Sequence, residues 1–186
     1  MKWLLIIIVV LAVILIGGYI VLYNGLQRAK VYTEEAWSQI DVQLQRRNDL
    51  IPNLVNTVKG YAEHEKSTFE QVVQLRNQLV NVPADDHQQK MELSNQITDS
   101  LKSIFALSEN YPDLKASTEF SQLQEELSNT ENKIAYSRQL FNNQAANFNQ
   151  KLVTFPTNII ARLSGLTKVG YLQAPAEAQQ VPEVKF

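Results

Sequence analysis

Apolar residues occupy this chain in two different ways. From Trp3 to Leu22 they run almost without interruption, as WLLIIIVVLAVILIGGYIVL, with Lys2 before the run and no further charge until Arg28. Beyond Leu22 they recur at every third or fourth position between polar residues. Twenty helical residues rise about 1.5 Å each, so the first run spans about 30 Å, the hydrocarbon thickness of a bilayer. This predicts a transmembrane anchor over residues 1–22, with Trp3, Ile8, Leu11, Leu15, Gly18 and Leu22 inside the membrane. A cleaved signal peptide has a shorter apolar core and ends on a small-residue cleavage site. Here Gly17-Gly18-Tyr19-Ile20 leads into further apolar residues, so the reading is an uncleaved anchor. Gly18 and Gly25 share a helix face, but their spacing is not the GxxxG of close helix pairs.

The second pattern predicts helices. Thr33, Trp37, Ile40, Leu44, Arg47, Ile51, Leu54, Val58 and Ala62 alternate threes and fours, a stripe that faces a partner helix. Pro52 lies inside it and removes the hydrogen bond to residue 48. The stripe keeps its register across the proline, which predicts a kinked but continuing helix, broken near Gly60 and Glu63-His64-Glu65-Lys66. Ser67 with Glu70 reads as a capping box opening a helix to Asn81, with Phe69, Val72, Val73, Leu79 and Val80 inward. Asp85 with Gln88 opens a third, with Met91, Ile97, Leu101, Ile104 and Phe105 inward. Glu109 to Asp113 is a turn, because a residue before proline avoids the helical region. From Thr118 to Phe155 a last long helix carries Phe120, Leu123, Leu127, Thr130, Ile134, Ser137, Phe141, Ala145, Phe148, Leu152 and Phe155 on one stripe. Asn158 to Gly165 suggests a short extra helix.

The expected fold is all-α: an N-terminal transmembrane helix continuing into an antiparallel helical bundle of about four helices. The bundle is expected over residues 23–170 and an irregular tail over 171–186. Tyr23 to Tyr32 holds no proline and one glycine, so anchor and bundle are expected to form one rod.

Composition narrows the chemistry. Without Lys2, 16 basic residues face 19 acidic ones, a mild and mixed balance that suggests neither nucleic acid nor an anionic membrane surface as a partner. There is no cysteine, which excludes disulfides, thiol catalysis and lipid attachment at a cysteine. The two histidines, His64 and His87, lie in polar segments between helices. His64 sits between Glu63 and Glu65, but adjacent helical side chains point apart and cannot chelate together. Asp85-Asp86-His87 reads as a cap and a solvated turn. No phosphate-binding glycine loop and no G-x-S-x-G elbow occurs. No metal, cofactor, catalytic residue or small-molecule substrate is expected, and the chain reads as a non-enzyme.

Trp37 to Glu65, WSQIDVQLQRRNDLIPNLVNTVKGYAEHE, resembles the LemA family of bacterial membrane-anchored proteins. The likeness continues in ENYPDLKA from Glu109, LQEELSNTENKIA from Leu123, FPTNIIA from Phe155 and the closing PEVKF. Leu166 and Phe141 depart mildly, where the family commonly carries aromatic and tyrosine residues. The resemblance implies an N-terminal transmembrane helix with an antiparallel bundle and no established enzymatic activity. It also implies links to envelope stress and membrane remodelling, relatives in magnetosome-forming bacteria, and a bundle on the cytoplasmic side of the inner membrane. The charges flanking the anchor are nearly tied, Lys2 and the amino terminus against Arg28 and Lys30.

Two groups of residues stand out as candidate sites. Arg46, Arg47 and Asp49 form a charged cluster in which Arg47 falls on the apolar stripe, where a lone charge is costly. Glu131 on the last helix is its expected partner. The reading is an ion pair that sets helix register, with an electropositive contact for a partner or lipid headgroup as the alternative. Asn110, Tyr111, Pro112 and Asp113, and Phe155, Pro156 and Asn158, form two proline turns. They are either plain turns or self-association surfaces. The functional expectation is a homo-oligomeric scaffold that organises or remodels the bilayer. The alternative is a membrane-anchored adaptor for a protease or signalling protein in envelope stress or quality control.

Overall fold

The computed structural model describes residues 1–62 and 65–173. Among these the chain is helical, with no strand. The order is α1 (Lys2–Lys59), α2 (Lys66–Val80), α3 (His87–Ser108), α4 (Pro112–Lys115), α5 (Thr118–Val153) and α6 (Thr157–Leu163). Four of the six are long, and α1 is unbroken from the apolar run through Pro52. Glu63, His64 and most of the expected tail, residues 174–186, lie outside the described residues.

The chain divides into two compact units. One comprises Gln39–Ser137, with Leu172 and Gln173 among the described residues. Its core joins Ile51, Leu54, Val55, Val58 and Ala62 to Phe69, Val72, Leu75 and Leu79 of α2. Leu93, Ile97, Leu101 and Ile104 of α3, Leu114 of α4, and Phe120 and Leu127 of α5 complete it. Each of these side chains other than Ala62 contributes about 1.5–3 kcal/mol on burial. The stripe positions from Ile40 to Ala62 are all buried. On α2 the inward set differs from expectation at two positions: Leu75 is buried and Val80 is exposed.

Pro52 is tolerated for an identifiable reason. Its missing N–H leaves the Asn48 carbonyl without its intrahelical donor. Arg76 of α2 supplies a replacement, its Nε donating to that carbonyl at 2.8 Å.

Two helix starts differ from the expected caps. Ser67 lies inside α2, whose N-cap is Glu65 with no side-chain cap bond. A turn in which Glu65 N donates to the Ala62 carbonyl and Thr68 N to that of Glu65 starts the helix one residue before the box. For α3 the cap is Asp86, accepting from Gln89 N at 3.0 Å, one residue along from Asp85 and Gln88. Both pairs have box spacing, and the turn closed by Asp86 N on the Pro83 carbonyl selects the second. The turn before α4 places Pro112 in its first helical turn, and Tyr111 packs against the unit's core.

The other unit comprises Met1–Ser38 and Arg138–Tyr171. Its helices are antiparallel: Lys151 Nζ of α5 reaches the Gly25 carbonyl at 3.4 Å, and Trp37 meets Phe141 edge to face at 5.9 Å. Leu26 and Ala29 pack with Phe148, Leu152, Ile160 and Ala161. α5 ends at Val153 rather than Phe155, and Phe155 is 76% exposed. The Thr157 hydroxyl caps that end, donating to the Lys151 or Thr154 carbonyl. α6 closes in a Schellman turn: Leu166 N donates to the Ala161 carbonyl and Gly165 N to that of Arg162, with Gly165 at φ 65°. The residue after that glycine needs only an apolar side chain, and Leu166 packs into the unit's core. The departure noted at Leu166 is accommodated.

Candidate functional site

A buried polar network lies inside the unit formed by Gln39–Ser137. Arg47 sits at a stripe position of α1, so helical periodicity carries its guanidinium into the core, where it is 0% exposed. Its Nη1 donates to Glu131 Oε1 of α5 at 2.7 Å and to Thr98 Oγ1 of α3 at 3.1 Å. Its Nη2 donates to Ser94 Oγ at 2.9 Å. Thr98 Oγ1 in turn donates to Glu131 Oε2 at 2.9 Å or to the Ser94 carbonyl at 3.0 Å. One guanidinium thus ties α1, α3 and α5 together in a single register. Glu131 retains 27% side-chain exposure, so its carboxylate stands at the mouth of the network while the arginine is enclosed. Arg47 Nε has no hydrogen-bond partner.

The rest of the expected charged cluster lies elsewhere. Arg46 approaches Glu126 at 4.0 Å with both side chains about half exposed. Asp49 accepts from Gln45 Nε2 at 2.9 Å on the surface. Ser94 and Thr98 were missed by sequence reading, although a signal existed: they fall between Met91 and Leu101 at helical spacing, a polar pair within an apolar face.

Near the start of α3, Lys90 Nζ donates to Asp41 Oδ1 of α1 at 2.8 Å. His87 stands beside this pair. Burial, and then the Lys90 ammonium, hold its pKa below the ordinary 6.5, against the opposing pull of Asp41, Asp85 and Asp86. Among the described residues no group of three or more His, Asp or Glu side chains is placed to hold a metal ion. The same unit carries an open cleft of about 830 Å³, lined by apolar residues that include Val55, Phe69, Val73 and Leu93, by the amides Gln74, Asn77, Gln78 and Asn81, and by the charged Lys59, Lys66 and Glu70.

The second set of sites belongs to the unit of Met1–Ser38 and Arg138–Tyr171. Residues 1–21 are all exposed, and α1 is long and apolar enough to cross a membrane, with none of its apolar window buried against protein. Trp3, Ile8, Leu11, Leu15 and Gly18 lie in this bare stretch, and Leu22 is the first residue to pack on the unit's core. Asn149, also missed from sequence, clamps the segment after α6. Its Nδ2 donates to the Val169 carbonyl at 2.8 Å and its Oδ1 accepts from Val169 N at 2.9 Å. Phe155 and Pro156 are exposed and Asn158 is half-buried. Asn110, Pro112 and Asp113 are exposed on the other unit, and Tyr111 is partly covered.

The LemA family model matches residues 36–186. The chain belongs to the LemA family. Protein LemA of Metamycoplasma hominis is 33% identical to it, over 81% of this chain and 68% of that protein. The magnetosome protein MamQ of Magnetospirillum gryphiswaldense is 23% identical, over 72% of this chain and 58% of that protein. Neither relative is named for an enzymatic activity. In this LemA-family chain the matched region begins at Ala36, so it takes in the Arg47 network and both proline turns but leaves the apolar run outside.

Proposed function

We propose that this LemA-family protein is a non-enzymatic, single-pass scaffold of the bacterial inner membrane that organises or remodels the bilayer as a homo-oligomer. One observation carries the reading: the same helix, unbroken from Lys2 to Lys59, is bare through Val21 and buried along its stripe from Thr33 to Val58. A helix that leaves the membrane without a linker ties the bundle to the span. The Arg47 network supports the reading because it locks three helices in register, which suits a rigid structural part better than a catalytic centre. One relative being a magnetosome protein favours a role in membrane organisation. Arg28 and Lys30 follow the span, and Arg162 and Lys168 belong to the same unit, which favours a cytoplasmic bundle. A reporter fused after Phe186 tests the side. Mass measurement of the intact protein in nanodiscs tests the assembly: oligomers are expected, and a strict monomer refutes the scaffold.

A second reading, the membrane-anchored adaptor, is favoured by the open cleft beside α2. Its mixed lining of apolar, amide and charged side chains suits an amphipathic segment of a membrane protein partner. A photo-crosslinker at Val73 would trap such a partner stoichiometrically in cells, whereas recovery of self-crosslinks alone counts against it.

A further inference from the structure

The exposed apolar surface of the unit made by Met1–Ser38 and Arg138–Tyr171 does not stop at the apolar run of α1. Val153 at the end of α5, Phe155 in the turn, and Ile159 and Leu163 on α6 are all more than half exposed, Phe155 at 76% and Leu163 at 74%. Ile159 and Leu163 are four residues apart and share one helix face. The opposite side of α6, Ile160 and Ala161, is buried with Leu26, Ala29, Phe148 and Leu152, and Leu22 and Tyr23 pack at the edge of that cluster. α6 is therefore fastened to α1 where the apolar run ends. Two further features converge there. Tyr19 and Tyr23 stack with ring centroids 6.0 Å apart, aromatic residues of the kind enriched where a span meets the headgroups. Residues 151–171 carry Lys151, Arg162 and Lys168 and no acidic residue, although the whole chain is net negative.

Large apolar side chains exposed together within one short turn and helix call for a covering surface. Apolar side chains with basic neighbours, beside the end of a membrane span, match the boundary between acyl chains and anionic headgroups. We propose that the knuckle from Val153 to Leu163 is a second membrane contact, lying in the bilayer interface beside the exit of α1. Phe155, Ile159 and Leu163 insert, and Arg162 and Lys168 meet anionic lipid headgroups. This rests on the reading of α1 as a span. The contact restrains how the unit of Met1–Ser38 and Arg138–Tyr171 can tilt against the bilayer.

The absence of native cysteine makes the test direct. Full-length Phe155→Cys and Leu163→Cys are labelled with an environment-sensitive fluorophore in nanodiscs of phosphatidylcholine and phosphatidylglycerol. Leu11→Cys serves as the reference within the span, and Tyr136→Cys as an exposed reference on the other unit. Lipids spin-labelled near the headgroup should quench the labels at 155 and 163 several-fold more than the label at 136. Lipids labelled deep in the acyl chain should quench the label at 11. If 155 and 163 behave like 136 while 11 is quenched, the span stands and the second contact is refuted. Should the label at 11 also stay in water, both readings fall. Labels at 155 and 163 shielded from lipid and aqueous quenchers alike, with self-quenching that grows with copies per disc, would assign the patch to a second copy and overturn the proposal.

Discussion

The enclosure of Arg47 and the partial exposure of Glu131 make their ion pair asymmetric, and the asymmetry has a measurable consequence. Glu131→Leu strands a guanidinium that is 0% exposed, with only the Ser94 and Thr98 hydroxyls left to accept from it. Breaking a buried pair in this way costs about 3–5 kcal/mol. At about 2–4 °C per kcal/mol for a chain of this size, the midpoint should fall by roughly 6–20 °C. Arg47→Met leaves instead a carboxylate that already touches solvent and can turn outward, while the Ser94 hydroxyl can return to a carbonyl of its own helix. Its cost should be about 1–2 kcal/mol, the scale of lost hydrogen bonds without a stranded charge. The double variant Arg47→Met/Glu131→Leu should lie within about 1 kcal/mol of the native protein or above it, since an apolar replacement also removes the unpartnered Nε. Thermal unfolding of the full chain in nanodiscs of fixed lipid, followed by far-UV circular dichroism, gives all three values. The reasoning is refuted if Arg47→Met costs as much as Glu131→Leu. It is also refuted if neither single variant melts differently from the native protein.

Other expectations follow from individual contacts. Arg76→Ala should cost about 1–3 kcal/mol by orphaning the Asn48 carbonyl, and much less in a Pro52→Ala background, where the restored N–H of residue 52 serves that carbonyl; equal costs in the two backgrounds would contradict the arrangement. Asn149→Ala removes both bonds to Val169, so limited trypsin digestion should cut after Lys168 several-fold faster, with the cuts in α5 unchanged. His87 has its pKa below 6.5, so the unfolded chain binds more protons than the folded one just below that pH and stability falls as acid is added. His87→Gln should flatten the decline in melting temperature from about pH 6.5 downward, before the carboxylates titrate, and an unchanged slope would show that His87 does not contribute. Leu11→Arg places a charge at the middle of the apolar run, at about 2.5–3.5 kcal/mol on insertion scales, and should shift newly made protein from the membrane to the soluble fraction on ultracentrifugation.

Much of the helical plan was legible in the sequence, because a helix that buries one face must repeat its apolar residues at that face's period. The stripe from Thr33 to Ala62 is buried at every position, and that of α5 is buried or partly buried from Phe120 to Leu152. The same period exposed Arg47 as a charge on an inward face, and with it the position from which Glu131 is reached. An uninterrupted apolar run needs no partner to be read, so the candidate span was equally plain. Local signals did worse wherever two alternatives had the same spacing. Asp85 with Gln88 and Asp86 with Gln89 are indistinguishable as boxes until the turn at Pro83 chooses between them. Phe155 continues a helical period on paper, but the chain turns at Thr154 and leaves the ring in the open.

What only the tertiary structure decided involves groups from different helices meeting. The repair of Pro52 depends on Arg76 arriving from α2, and no pattern within α1 announces it. Ser94 and Thr98 become ligands of a guanidinium only once α3 lies beside α1 and α5. The clamp of Asn149 on Val169 requires the segment after α6 to return along α5, and the apolar knuckle beside Leu22 requires α5 to fold back along α1. Periodicity is a property of one helix and is written in its own residues. Hydrogen-bond partners and exposed patches are properties of pairs of surfaces, and they come into being when packing brings those surfaces together.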